Sequence, residues 1–188
     1  SGAVVGGALA SQVAFPSVTF GKPNDNKLKL GLIGCGGRGT GAATQALKAD
    51  SNIELTAMAD AFPEKIESSL KNISKNVEDA KVKLKKSHKF IGLDSYKKVL
   101  DSGVDVVVLT TPPGFRPAHL VEAVKADMHV FTEKPMATDV PGVRLVREAV
   151  DIAKKKNLAM VAGFCWRYDY ARKELFKRIH DGEIGEVR

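Results

Sequence analysis

A glycine-rich segment at residues 34–39, GCGGRG, has the spacing G-x-G-x-x-G that is typical of loops binding a dinucleotide. Gly34 permits a tight turn, Gly36 lets the backbone approach a pyrophosphate, and Gly39 lets a helix pack closely on a strand. The segment follows the apolar run Leu28–Ile33 and opens an Ala-rich helical pattern. The unpaired N–H groups at the start of that helix would therefore face the phosphates.

Asp60 follows this loop and ends the apolar run Ile53–Ala59, 21 residues beyond Gly39. A carboxylate at this position accepts hydrogen bonds from an adenosine ribose. It would repel a 2′-phosphate, so NAD is expected in preference to NADP. Arg38 leaves NADP open, because its guanidinium could reach such a phosphate. The alternative is a glycine-rich turn and a capping aspartate without any ligand.

Three more polar segments follow apolar runs in the second half of the chain. They begin at Thr110 (TTPP), Glu133 (EKP) and Gly163 (GFCWRYD). Pro135 biases Lys134 away from helical geometry, which would present the lysine at a strand end. The alternative for Glu133 and Lys134 is a surface ion pair of little energetic value.

Apolar runs of strand length alternate with helical patterns and would position these segments. The expected strands are Leu28–Ile33, Ile53–Ala59, Phe90–Ile91, Val104–Leu109, His129–Thr132 and Leu158–Ala162. The expected helices are Thr40–Lys48, Glu64–Asn72, Ser95–Asp101, one starting at Pro117, Asp139–Lys156, and one marked by Ala171, Leu175 and Ile179 and stopped by Gly182. The apolar face expected for the helix over 139–156 consists of Val143, Val146, Val150 and Ala153.

This alternation predicts an α/β fold, a doubly wound and mostly parallel Rossmann sheet with helices on both faces. Such sheets bind ligands at the carboxyl ends of their strands, near the point where the strand order reverses. All four polar segments fall at such ends. The sequence therefore predicts a single dinucleotide site to which all four contribute.

Together, the four segments resemble the Gfo/Idh/MocA family of glucose–fructose oxidoreductase and inositol dehydrogenase, over residues 28–188. The Glu-Lys-Pro tripeptide at residues 133–135 is the most specific mark, and in the family its Lys-Pro bond is often cis. The resemblance implies that Lys134 meets the substrate hydroxyl beside the nicotinamide, where an ammonium favours a developing alkoxide. It implies that Glu133 lies near the nicotinamide ribose and that Arg167 and Tyr168 face the carboxamide or the substrate. With the loop residues, the predicted cofactor-binding set is Gly34, Gly36, Gly37, Arg38, Gly39, Asp60, Thr110, Thr111, Pro112, Glu133, Lys134 and Arg167, with Lys134 catalytic and no metal ligand.

Family members carry a second domain, an open antiparallel sheet that covers the nicotinamide and usually supplies a catalytic His with an Asp nearby. The resemblance implies that residues 183–188 lead into that domain, so that 28–182 is the dinucleotide-binding domain. Residues 1–27 are expected, from their composition, to be a signal remnant with a linker. None of the four histidines matches the family's catalytic position. The chain is therefore expected to be the cofactor half of an enzyme and not to turn over substrate alone, and the full-length protein is expected to form homo-oligomers.

Three functions remain open at this point. The first is an NAD(P)-dependent oxidoreductase that acts on a sugar, inositol or related polyol. The second is an NAD-dependent glycosidase of the same superfamily, which would carry the same motifs in this half. The third, from another class, is a dinucleotide-binding module without catalysis.

The formal charge of +7 invites a nucleic-acid interpretation, but the excess is concentrated in one stretch. Residues 71–89 hold seven lysines and two acidic residues, without aromatic side chains for base stacking. A solvated lysine-rich insert is expected, with no nucleic-acid partner. No apolar run is long enough for a membrane span in the mature form. Cys35 and Cys165 fall on strands that are not neighbours, so we expect no disulfide and a packing role for both.

The segment Ala3–Phe15 is small and moderately apolar, and Ala8 and Ala10 fit the Ala-x-Ala exit of a secretory signal. Its richness in Gly and Ala favours the twin-arginine route and a periplasmic location. A polar linker is expected over Ser17–Lys27. The alternative is a frayed apolar tail on a cytoplasmic protein.

Overall fold

A computed structural model of the chain describes residues 27–186. The proposed export segment Ala3–Phe15 and almost all of the expected linker lie outside the described residues, as do the last two residues of the chain. Among residues 27–186, no helix is long and apolar enough to cross a membrane.

Six strands form one sheet in which every neighbouring pair is parallel. The strands are Leu28–Ile33 (β1), Ile53–Asp60 (β2), Lys89–Ile91 (β3), Val106–Leu109 (β4), His129–Thr132 (β5) and Met160–Ala162 (β6). Their order is β3-β2-β1-β4-β5-β6, so the strand order reverses between β1 and β4. This confirms the predicted doubly wound Rossmann sheet.

Helices cover both faces of the sheet and begin where the sequence allows a helix start. They are Gly37–Ala49 (α1), Pro63–Asn76 (α2), Ser95–Leu100 (α3), Arg116–Lys125 (α4), Val140–Lys155 (α5) and Tyr170–His180 (α6), with 3-10 turns at Asp79–Lys81, Lys86–His88 and Cys165–Tyr168. A proline stands in the first turn of α2, α4 and α5, where its missing N–H costs nothing. The Asp139 carboxylate caps α5 by accepting the Gly142 N–H at 2.7 Å. α1 begins at Gly37 rather than at Thr40, because the end of the glycine loop already forms its first turn.

Two clusters of buried side chains hold the layers together. One packs β1, β4 and β5 against α3, α4 and α5, and includes Leu109, Leu120 and Val124. The other packs the opposite face against α1 and α2, and includes Leu32, Leu47 and Ile66. Both clusters support β1 and β4, the two strands that flank the reversal point.

The expected apolar face of α5 was partly wrong. Val143 is 51% exposed, whereas Ala149 and Ala153 are buried together with Gly142. The packed side is centred on small residues because α4 lies close against α5. Valine at position 143 therefore falls on the outer edge of the helix.

The lysine-rich stretch is more than a solvated insert. Lys81 Nζ donates to the carbonyls of Leu47 at 2.5 Å and Asp50 at 2.9 Å, which satisfies acceptors at the carboxyl end of α1. Val82 forms an isolated parallel bridge with Leu55 of β2. One of the seven lysines thus has a structural role.

α6 projects from the sheet, and none of its residues is buried among the described residues. The sequence predicts this helix correctly, but its apolar residues Leu175 and Phe176 are 55% and 57% exposed.

Candidate functional site

A cavity of about 1310 Å³ opens at the carboxyl ends of the strands, where the strand order reverses. Its walls come from the segments that follow all six strands and from the start of α4. The predicted site residues on these walls are Gly34, Gly36, Arg38, Asp60, Thr110, Thr111, Pro112, Glu133 and Lys134. Segments that are far apart in the sequence, from the glycine loop to the segment after β6, thus meet as predicted.

The glycine loop is fixed by β4 as well as by its own geometry. Gly34 has φ +94°, and a Cβ there would lie 2.7 Å from the Thr111 nitrogen. Thr110 Oγ1 donates to the Gly34 carbonyl at 2.6 Å, and a Cβ on Gly39 would lie 2.5 Å from that hydroxyl. Thr110 therefore holds the loop, and Gly39 is the glycine that makes this close packing possible.

Gly36 and Gly37 have a different environment. A Cβ at either position would meet no atom within 4 Å. Gly36 lines the cavity, whereas Gly37 lines a neighbouring polar groove between α1 and α2. The protein fold thus leaves open the space in front of the amino end of α1, where a pyrophosphate would approach.

Asp60 is held in place by two backbone donors. Its Oδ2 accepts the Cys35 N–H at 2.6 Å, and its Oδ1 accepts the Phe62 N–H at 3.0 Å. Each carboxylate oxygen can accept a further hydrogen bond. Asp60 is therefore oriented at the cavity wall with capacity left for ribose hydroxyls.

Arg38 reaches toward β5 and forms an ion pair with Glu133. Its Nε and Nη2 lie 2.7 Å and 2.5 Å from Glu133 Oε1. Glu133 is 4% exposed, and Gly163 provides the room, since a Cβ there would lie 2.7 Å from the same carboxylate oxygen. The sequence left open that Arg38 binds a 2′-phosphate beside Asp60. In this geometry its guanidinium instead binds Glu133 on the other half of the sheet.

Lys134 is exposed at the cavity and follows the buried Glu133. The Lys134–Pro135 bond is cis, as the resemblance implies. Glu133 Oε2 accepts the backbone N–H of Lys134 at 3.3 Å, and within residues 27–186 no ion pair engages the lysine ammonium. A surface ion pair between these neighbours is therefore wrong. Lys134 lines the cavity, and no carboxylate among residues 27–186 is paired with its ammonium.

The segment after β6 contributes aromatic walls. Phe164, Cys165 and Trp166 line the cavity. Arg167, a predicted cofactor ligand, lies outside this lining, with its guanidinium 5.9 Å from the centre of the Phe164 ring. Both cysteines are free, as expected, but the packing role holds only for buried Cys35, since Cys165 is exposed. Burial and the nearby Asp60 carboxylate raise the pKa of the Cys35 thiol, which keeps it protonated.

Two buried residues of α4 escaped the sequence reasoning as parts of the site. Arg116 is 3% exposed and donates to the carbonyls of Thr111 and Pro135. His119, expected to have a packing or surface role, is 6% exposed and lines the cavity. An arginine in the first turn of the helix that follows the TTPP segment is the signal that could have identified Arg116.

His119 packs in an aromatic environment. Its ring stacks on Tyr96 with the centroids 4.0 Å apart, and Nδ1 lies 3.2 Å from Thr111 Oγ1. Burial, assisted by the charge of Arg116, lowers the pKa of His119 from 6.5 to about 4. The imidazole is therefore neutral in the folded protein near pH 7.

This low pKa predicts acid sensitivity. Because folding depresses the pKa of His119, the contribution of the neutral imidazole to protein stability is complete above pH 6.5 and is lost as the pH falls toward about 4. We expect His119 to lower the free energy of unfolding by up to about 3 kcal/mol across this window. Urea denaturation at several pH values should show a shallower decrease for His119→Phe, which retains an aromatic ring against Tyr96. Parallel pH profiles for the two proteins would contradict the assignment.

The donors and open spaces of this cavity fit a dinucleotide. The amino end of α1 and the uncrowded Gly36 suit a pyrophosphate, and the oriented Asp60 suits a ribose at one end. At the other end, Glu133 and Lys134 present a carboxylate and an ammonium beside the aromatic wall. The arrangement can bind an extended nucleotide and place one cation at a reacting oxygen.

Comparison with known proteins shows the same fold and identifies the family. A family model described as "Oxidoreductase family, NAD-binding Rossmann fold" (GFO_IDH_MocA) matches residues 28–164. Inositol 2-dehydrogenase 4 from Saccharopolyspora erythraea is 30% identical over 162 residues, which cover 86% of this chain and 44% of that protein.

Two solved structures share the fold. Scyllo-inositol dehydrogenase from Lactobacillus casei, with bound NAD(H) and scyllo-inositol, is 23% identical, with a TM-score of 0.63 over 86% of this chain and 43% of that one. The 3-ketoreductase KijD10 from Actinomadura kijaniata, in complex with NADP and TDP-benzene, is 24% identical, with a TM-score of 0.66 over 87% of this chain and 45% of that one. The chain therefore spans less than half the length of these relatives.

Proposed function

The chain belongs to the Gfo/Idh/MocA oxidoreductase family with the NAD-binding Rossmann fold, and we propose that it is the cofactor half of an NAD-dependent enzyme that oxidises a ring hydroxyl of an inositol or similar polyol. The observation that carries this proposal is a single cavity bounded by the glycine loop, Asp60 and Lys134. One relative is an inositol 2-dehydrogenase, and another, from Actinomadura kijaniata, is a 3-reductase of a dTDP-linked sugar, which supports a ring alcohol or ring ketone as the reacting group.

The chemistry expected of bound NAD is to accept a hydride from the carbon that carries the hydroxyl group. In this mechanism Lys134 contacts the hydroxyl oxygen, stabilises its developing negative charge and takes part in moving its proton. The neighbouring Glu133 is neutralised by Arg38, so the ammonium of Lys134 remains free for the substrate oxygen. Phe164 and Trp166 supply an apolar wall beside Lys134.

The proposal assigns most substrate contacts and the catalytic base to a second domain, as the family resemblance implies. We therefore expect this chain by itself to bind NAD without oxidising polyols at an enzyme-like rate.

The test compares NADH formation from myo-inositol, scyllo-inositol and glucose by this chain and by the longer protein to which we assign it. Steady turnover of an inositol by the longer protein alone is the expected result. Release of the aglycone from a chromogenic glycoside, with no net NADH, would replace the dehydrogenase proposal with the glycosidase.

Cofactor choice gives a second measurement, which can be made on this chain. Calorimetric titration should show tighter binding of NAD than of NADP, because the Asp60 carboxylate repels a 2′-phosphate. Asp60→Ala should narrow the difference between the two affinities to less than about threefold. It should weaken the binding of NAD and remove the repulsion of the NADP 2′-phosphate. Arg38→Met is the matched comparison, and we expect it to leave the ratio unchanged because Arg38 is bound to Glu133. Equal affinities in the unmodified chain, or a ratio that depends on Arg38, would contradict this assignment.

A further inference from the structure

Arg116 is a buried cation that bonds to backbone rather than to a carboxylate. Its side chain lies at the start of α4, and the residue is 3% exposed. Nη2 donates to the Thr111 carbonyl, which follows β4, and Nη1 donates to the Pro135 carbonyl, which follows β5. One rigid guanidinium thus joins the backbones of two neighbouring strand-end segments.

Arg116 does not form an ion pair with the nearby carboxylate. The acidic group that acts on it is Glu133, and the carboxylate oxygens of Glu133 are occupied by Arg38 and by the Lys134 N–H. Burial lowers the pKa of Arg116, so keeping this charge inside the protein carries a cost. An apolar side chain of similar length would fill the same space without that cost, which points to a role for the two hydrogen bonds themselves.

The Thr111 and Pro135 carbonyls belong to the two segments at the end of the cavity where the reaction is proposed. Thr111 lines it from β4, and Lys134 precedes Pro135 on the segment from β5. The planar guanidinium presents its donors in a fixed geometry, so holding both carbonyls at once fixes the separation of the two segments. A lysine has a single ammonium on a flexible stem and cannot impose that spacing.

We propose that Arg116 is a positioning residue that ties the TTPP and EKP segments together and thereby fixes Lys134 relative to the bound cofactor. This inference rests on the proposed function for the role of Lys134 in the reaction. Arg116 also lines the cavity, and the role proposed here is exerted through its hydrogen bonds to the Thr111 and Pro135 backbone.

The first part of the test uses NMR on this chain and needs no turnover. In Arg116→Met, the amide signals of Thr111, Lys134 and Met136 should shift or broaden, while those on the distant β3 edge stay in place. Arg147→Met, which removes an exposed arginine of α5, is the matched control and should leave all of these signals unchanged.

The second part uses the longer protein. Arg116→Met should lower kcat about 10²-fold and keep KM for NAD within about threefold, because a misplaced Lys134 affects the reacting step more than nucleotide binding. Arg116→Lys should fall between Met and the unmodified enzyme, because its ammonium can reach one carbonyl but not both. If Arg116→Met does not fold, the loss of kcat in Arg116→Lys alone decides whether Arg116 positions Lys134.

The outcomes separate this inference from the proposed function. Unchanged Thr111 and Lys134 signals with unchanged kcat would overturn the positioning role and leave the dehydrogenase proposal intact. A parallel loss of kcat, NAD binding and thermal stability would also overturn it, because Arg116 would then be a packing residue only. If the unmodified longer protein oxidises no polyol, the proposed function fails, and the NMR comparison still decides whether Arg116 fixes the two segments.

Discussion

Lys134→Met should lower kcat of the longer protein by about 10²- to 10⁴-fold, the usual range for loss of a group that handles the reacting proton. The reason is that Lys134 lines the cavity and that, among the described residues, no ion pair engages its ammonium. NAD affinity measured on this chain should change by less than about threefold, because the phosphates and the adenosine ribose are bound elsewhere. Steady-state kinetics together with calorimetric titration measures both quantities.

Lys98→Met is the control for this substitution. Lys98 is an exposed lysine of α3 that does not line the cavity, so its loss should leave both kcat and NAD affinity unchanged. If Lys134→Met retained full kcat, or lost NAD binding in proportion to kcat, Lys134 would be a binding or surface residue rather than a catalytic one.

The three glycines of α1 and its loop should respond to alanine in three different ways. Gly39→Ala should lower the free energy of unfolding by about 1–3 kcal/mol, because the new methyl group overlaps the Gly34 carbonyl and the Thr110 hydroxyl. Gly36→Ala should leave stability within about 0.5 kcal/mol but weaken NAD binding at least about tenfold. Its methyl group meets no protein atom and occupies the space assigned to the pyrophosphate.

Gly41→Ala is the internal standard for this series. Position 41 lies inside α1 with open space around it, so alanine should raise the free energy of unfolding by up to about 1 kcal/mol through helix propensity alone. Chemical denaturation and calorimetry on the three variants would measure both effects. Full NAD affinity in Gly36→Ala would show that the nucleotide does not approach the loop at this point.

The sequence predicts the fold and the principal site residues because both depend on local signals. Alternating apolar runs indicate the strands, and Gly34, Asp60 and Lys134 occupy positions where parallel strands end. These features need no knowledge of which side chain contacts which.

The features that sequence reasoning missed depend on contacts between distant segments. The pairing of Arg38 with Glu133 joins residues 95 positions apart, and nothing local indicates that Arg38 turns toward β5. Arg116 carries a charge, yet it is buried, with two of its guanidinium nitrogens donating to backbone carbonyls of distant segments. Val143 fits the periodic pattern of a buried face, but the close contact between α4 and α5 selects small residues instead.

The aromatic wall after β6 also gives the chain an optical reporter. Trp166 is the only tryptophan in the sequence, and it lines the cavity. The Arg172 guanidinium packs over its ring, 4.2 Å from the ring centre. Indole emission overlaps the absorption band of reduced nicotinamide, so energy transfer from this one ring would quench its fluorescence when NADH binds. The oxidised cofactor lacks that band. The same tryptophan therefore distinguishes the two redox states of a bound nucleotide, and no label is needed to follow either binding or turnover.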